Sequence, residues 1–209
     1  MVVPSYFPFL THKKVKKEAI TLNKTTEKLG ATVSEGYQVL LRAEAELILP
    51  DGKDVITNYY RLLANKCMSW ATEVYGERLR SDFLSLEDLH DRALFRAQKY
   101  RFLMRIPWQS EHHIAILCES YLLGQYQDVK NSYHRLSHVW NLDEESILPI
   151  SQILELFECG IKLRDLPFVP DGVYPDGEEL IFYKNPTADT PLAQSKSPIL
   201  QGIDGEEKG

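Results

Sequence analysis

The sequence predicts an α+β protein: an antiparallel sheet with one long helix packed on one face and a second, short helix. Three observations predict it. From Tyr37 to Leu49 the odd positions are Tyr, Val, Leu, Ala, Ala, Leu and Leu, while Gln38, Arg42, Glu44 and Glu46 occupy even ones. That period of two is a strand with one buried and one wet face. Next, Ile56, Tyr59, Leu63, Cys67, Trp70 and Val74 recur at spacings of three and four, which is a helical stripe. Third, successive apolar runs after residue 100 are joined by polar connections, as in an antiparallel meander.

Taken in order, "EAITLNKT" is expected to form a partner strand for Tyr37–Leu49, and Pro50, Asp51 and Gly52 end the latter with turn chemistry. The helix is expected from 54 to 82, with Asp54 as its cap and Tyr59 and Trp70 in the core. Tyr100, Phe102, Met104, Ile106 and Trp108 then alternate with Arg101, Leu103, Arg105 and Pro107. "QSEHH" turns the chain and "IAILCESYLL" returns it. Leu136, His138, Trp140 and Leu142 make a further alternating strand, with Trp140 and Leu142 pointing inward beside His138. "NLDEES" is a turn, and "ISQILELFE" starts the short helix, with Ser151 as the expected cap. "YPDGEELIFYKN" supplies a turn and a last short strand. Residues 1–185 are therefore expected to form a single α+β domain. Residues 186–209, rich in Pro, Ser, Thr, Asp, Gln, Lys and Gly, are expected to be a disordered tail. The competing expectation is that Ile199 and Leu200 dock as a final strand.

Composition excludes several classes. At 209 residues, 44% hydrophobic and 26% charged, the chain has the balance of a globular protein. A net charge of -6 argues against an electrostatic grip on nucleic acid, and the basic run Lys13, Lys14, Lys16, Lys17 reads as a solvated surface. No run approaches the roughly 20 apolar residues of a membrane span. "MVVPSYFPFLTHKKVKK" places apolar residues before basic ones, the reverse of a signal peptide, so the chain as given is expected in the cytoplasm. Cys67, Cys118 and Cys159 are few, odd in number and far apart, so neither a disulfide framework nor a thiolate metal site is expected.

Chemistry-bearing residues do not assemble into a recognisable set. His134 and His138 lie four apart on a strand, so their Cα atoms are roughly 13 Å apart and no single ion bridges them. A metal site would require His113 to meet one of them, and none is expected. There is no phosphate loop, dinucleotide fingerprint or nucleophile elbow, so no cofactor is expected either. Cys118 beside Glu119 could be imagined as a thiol nucleophile with His113 as base, but an inward-facing structural cysteine is the expected reading. His112, Glu144, Glu145, Glu178 and Glu179 lie in turns.

The order of elements resembles a known family. The helix "NYYRLLANKCMSWATEVY", the strand and turn "WNLDEESILPISQIL", and "PDGEELIFYKN" together resemble a bacterial domain of unknown function. It is the domain found in the extracytoplasmic part of the anti-sigma factor RsiV, with a relative preceding the catalytic domain of the deacetylase PdaC. The resemblance spans about residues 20 to 185. It departs where the family carries a glycine-rich segment after the hairpin's second strand: "LLGQYQDVKNSYH" has Gly124 alone. The resemblance implies a fold and a binding role, and no functional residue.

The expected function is therefore an interaction module without catalytic activity, for an unknown protein or glycan ligand, with Gln125 to Asn131 as the surface of interest. The alternative is a hydrolase-type enzyme with scattered polar residues near Glu111, His113 and Glu119. A pocket holding a titratable group with a displaced pKa would favour the enzyme. An exposed apolar patch would favour the module.

Overall fold

The computed structural model describes residues 22–124, 133–187 and 189–199. Two antiparallel strands come first, β1 (Lys24–Glu35) and β2 (Gln38–Pro50), joined by a tight turn in which Gly36 adopts a φ of 56°. The long helix α1 (Asp54–Leu84) follows, then a short α2 (Leu89–Leu94) whose cap Asp88 accepts from the His90 amide. Strands β3 (Gln98–Gln109), β4 (His113–Leu123), β5 (His134–Asn141) and β6 (Ser146–Ile147) complete a six-stranded sheet in the order β1 to β6. The short helix α3 (Ile150–Leu156) leads to a three-stranded antiparallel sheet of β7 (Gly172–Asp176), β8 (Glu179–Lys184) and β9 (Ala193–Pro198).

The expected α+β class holds, with one long helix on a sheet, but a second short helix, α2, and a second sheet are added. The large sheet is mixed, however, because β2 and β3 pair in parallel while the other pairs are antiparallel. The cause is α1 itself. It carries the chain the length of the sheet, so β3 starts at the end where β2 started, as a strand–helix–strand crossover requires.

Helix α1 packs on one face of this sheet. Leu41, Ala43, Ala45, Leu47 and Leu49 of β2 meet Ile56, Tyr60, Ala64, Met68, Ala71, Leu79 and Phe83 of α1. The small sheet packs on the opposite face at the β3–β5 end. Here Ala115, Leu117 and Val139 join Phe157, Val173, Tyr174, Ile181 and Phe182. Residues 114–118 of β4 are thus buried without interruption, their even members under α1 and their odd members under β7–β9.

Several expectations are corrected. Asp54 is the first helical residue and Lys53 the cap position, with no side-chain cap bond; Asp54 still sits where an acid suits the helix dipole. Ser151 is likewise inside α3, which begins after Pro149. Of "EAITLNKT", Lys24 and Thr25 begin β1, whose twelve residues extend well beyond them, while residues 18–21 lie outside the described residues. "YPDGEELIFYKN" holds two strands, the end of β7 and all of β8. Residues 193–198, expected in a disordered tail, form β9 along β8, and the Ile199 amide donates to the Glu178 carbonyl at 2.9 Å. Backbone pairing and a buried Ser197 hold this strand, which an apolar count could not reveal.

Candidate interaction surface

The local sequence of α1 gives it two apolar faces of opposite character. Its inner line uses small residues: Ala64 and Ala71 are fully buried, and a Cβ on Gly76 would come within 3.0 Å of the Val33 side chain. Facing them on β2 are Ala43 and Ala45, so helix and sheet approach closely. Several large apolar residues point outward. Val55, Tyr59, Leu62, Trp70 and Val74 form a solvent-exposed line, with Leu62 63% and Trp70 49% exposed. Tyr59 and Trp70, expected in the core, are therefore surface residues, as is Val74 of the same stripe; Ile56 is buried, and Leu63 and Cys67 lie at the core's margin.

One flank of this line is polar and the other aromatic. Towards β1, Arg61 pairs with Glu27 at 2.7 Å and Arg80 with Glu35 at 2.9 Å. Towards β5, Tyr59 packs edge-on against His138 and Trp140, with centroids 5.7 and 5.6 Å away, and Trp70 packs edge-on against Tyr75 at 5.1 Å. Beneath Tyr59 lies a hydrogen-bonded trio. The Trp140 indole donates to the Tyr60 hydroxyl at 3.0 Å, and that hydroxyl lies 2.9 Å from His138 Nδ1. An indole N–H only donates, so the Tyr60 oxygen accepts from it and its single hydrogen goes to Nδ1. A proton on Nδ1 would strand that hydroxyl hydrogen. Burial acts in the same sense and lowers the His138 pKa from its usual 6.5.

The residues proposed for catalysis do not converge. Glu111 is exposed in the β3–β4 turn, and His113 begins β4 with its pKa lowered by burial and by neighbouring His112. Glu119 lies six residues further along the same strand, about 20 Å from His113 at the usual strand rise. His113 pairs with Asn141, on the sheet face opposite His138, while His112 donates to Asp143 at 2.8 Å. Cys118 is buried, and burial pushes its thiol well up, so it is no ready nucleophile. Among the described residues no group of three or more His, Cys, Asp or Glu is placed to hold a metal. Residues 125–131 lie outside the described residues.

Glu119 belongs instead to a brace between the sheets. The Tyr133 hydroxyl donates to it, and Arg135 donates to Glu119 at 3.2 Å, to the Tyr133 oxygen at 2.8 Å and to Gln194 of β9 at 2.8 Å. Arg105 lies 3.5 Å from Glu119 and 3.6 Å from Asp176 of β7. Burial and the Glu119 carboxylate push the Tyr133 phenol up to about 12, so it remains a neutral donor. Each charge already has a partner, and the group ties β3, β4 and β5 to the small sheet. Gly124 has a packing role: a Cβ there would lie 2.6 Å from the Gln98 side chain.

Two surface indentations lie elsewhere and hold no catalytic set. One is lined by Lys28, Glu44, Glu46 and Arg101 on the sheet face away from α1, the other by Gly30, Asn65, Met68 and Thr72 between β1 and α1. No helix among the described residues is long and apolar enough to cross a membrane.

No family model and no curated protein matches the chain. The chain is similar in structure to a DUF3298 family member from Bacteroides fragilis NCTC 9343, with a TM-score of 0.49, 11% identity, and coverage of 85% of this chain and 90% of that one. It is also similar to a DUF3298 family protein from Pseudomonas aeruginosa PAO1, with a TM-score of 0.42, 10% identity and the same two coverages. Neither likeness carries a functional residue onto this chain.

Proposed function

We propose that the chain is an interaction module that docks a protein partner on the outer face of α1. The observation that carries this is the exposed line Val55, Tyr59, Leu62, Trp70 and Val74 on one side of a helix whose other side is already packed. An apolar line of this kind, crossed only by exposed Lys66 between Leu62 and Trp70, fits partner contact better than solvent. Its members favour protein over glycan. Valine and leucine offer no hydrogen bonds to sugar hydroxyls, whereas they fit an apolar groove or helix as regularly spaced anchors. Tyr59 and Trp70 are residue types that dominate interface energetics.

A photo-crosslinking residue placed at Leu62, with Tyr37 at the far β1–β2 turn as control, tests the reading in the producing cell. A discrete protein adduct at position 62, absent at 37 and lost on adding Trp70→Asp, is expected. Glycan adducts at 62, or equal adducts at both positions, would count against it.

A further inference from the structure

The edges of the two sheets are not equally protected. Among the described residues, β6 ends the large sheet with two residues. The small sheet is bounded by β7, five residues carrying Pro175, and by β9, six residues ending in Pro198. Short length and proline are common means of keeping an edge from pairing further. β1, the other edge of the large sheet, has twelve residues and no proline, and its register on β2 runs without a shift from Lys24 to Val33. Nothing among the described residues pairs with its outer side. We propose that this side pairs with β1 of a second copy, antiparallel and about a two-fold axis at Gly30, joining two large sheets into one. The inference is independent of partner docking on α1.

Gly30 is the first support. It stands in mid-strand without a positive φ, and the nearest atom to a Cβ built on it is the Ala43 carbonyl oxygen at 4.0 Å. A side chain would fit, so the fold of one copy does not call for glycine. Glycine inside a strand costs conformational freedom, and the close passage of another backbone is a reason to carry one.

The sequence of β1 suits pairing with itself. Residues opposite each other across an antiparallel pair share a sheet face. A two-fold axis at Gly30 therefore sets Leu29 against the partner's Ala31 on the side that α1 covers. On the other side it sets Lys28 against the partner's Thr32 and Thr26 against the partner's Ser34. No charge then lies directly opposite its like. Centring on Lys28 would oppose two lysines, and centring on Ala31 would oppose Glu27 and Glu35. Three charges of β1 also have counter-charges within their own copy: Glu27 at 2.7 Å from Arg61, Glu35 at 2.9 Å from Arg80 and Lys28 at 3.9 Å from Glu46. Space permits the contact. Because α1 packs mainly on β2, the two helices would lie three strand spacings apart, roughly 14 Å. Helices in contact need only about 8 to 10 Å.

Sedimentation velocity of the full chain, from micromolar to submillimolar concentration, reads the association. A reversible dimer is expected. Thr32 is exposed, so substitutions there leave the fold of one copy intact. Thr32→Lys places two like-charge pairs across the axis and should raise the dissociation constant about tenfold, whereas Thr32→Glu should lower it. Adding Lys28→Glu to Thr32→Lys should restore the dimer. A monomer at every concentration overturns the proposal. So does a dimer whose dissociation constant ignores residue 32; its loss on Trp70→Asp would then place the contact on α1.

Discussion

The two faces of α1 differ in a way that simple hydrophobicity does not capture. The inner face is made from Ala64, Ala71 and Gly76 between the larger Tyr60, Met68 and Leu79; the outer one displays Leu62, Trp70 and Val74. Leu62, Trp70 and Val74 are thus left in water while Ala64, Ala71 and Gly76 are buried. Distance explains it. With Ala43 and Ala45 on the facing strand, the helix lies too close to β2 for bulk at those positions, and Tyr60 reaches past that contact to the β5 trio. Packing density, not side-chain size, decides what is inside.

Truncating the inner face should produce the largest effect. Tyr60→Ala removes a fully buried ring and leaves the Trp140 indole without its acceptor, so a loss of about 3 to 5 kcal/mol is expected from chemical denaturation. A midpoint shift equivalent to less than about 1 kcal/mol would mean that the trio is not part of a packed core.

Enlarging a side chain sharpens the contrast. Ala71→Leu, forced against the sheet, should cost about 1 to 3 kcal/mol by overpacking. Ser69→Leu, on the exposed side of the same turn, should stay within about 0.5 kcal/mol. Equal effects at the two positions would show that the close helix–sheet contact is wrong.

A third effect is smaller and depends on pH. The folded-state pKa of His138 is lowered, so below the ordinary value of 6.5 the unfolded chain binds more protons than the folded one. Stability is therefore fully present above pH 6.5 and falls as pH drops from there through the folded-state pKa, with a slope of at most about 1.4 kcal/mol per pH unit for one proton. His113, lowered in the same direction, adds to the slope. His138→Gln, which keeps an acceptor for Tyr60, should flatten the pH 5 to 6.5 segment of the stability curve without removing it. A slope identical to that of the unsubstituted chain would place the linkage elsewhere.

Much of the fold was legible in particular residues. The alternation marks β2, whose odd positions from Leu41 to Leu49 are the buried ones, although Tyr37, expected on that face, is fully exposed in the turn before it. The inward Trp140 and Leu142 are likewise as read. The uninterrupted "IAILC" of β4 carried a message that alternation elsewhere obscured: a strand apolar at every position is covered on both faces. Two features were not legible. β1, "KTTEKLGATVSE", was missed although Leu29, Ala31 and Val33 alternate towards the core, because that face is short and only half-buried and its first residues are polar. The helix stripe was misplaced because Ala and Gly carry little hydrophobic signal, whereas Trp70 and Val74 carry a great deal. The search for a catalytic site followed His113 and Glu119, yet the features that distinguish the molecule were an exposed helix face and a histidine bonded to a tyrosine.

The smallest stability effect is the most informative about function. Trp70→Ala deletes a side chain half in water that packs mainly against Tyr75, so its folding cost should be under about 1 kcal/mol, compared with the several kcal/mol typical of a core tryptophan. If the α1 face docks a partner, the same substitution should weaken that contact by about 2 kcal/mol or more, because tryptophans are frequent centres of interface energy. Stability and binding would then separate at one residue: nearly neutral for the first, severe for the second. Thermal denaturation, together with the yield of the position 62 adduct, measures both in the same protein. A large loss of stability would return Trp70 to the core and remove the surface from consideration. Loss of neither would leave the ring exposed without a role in binding.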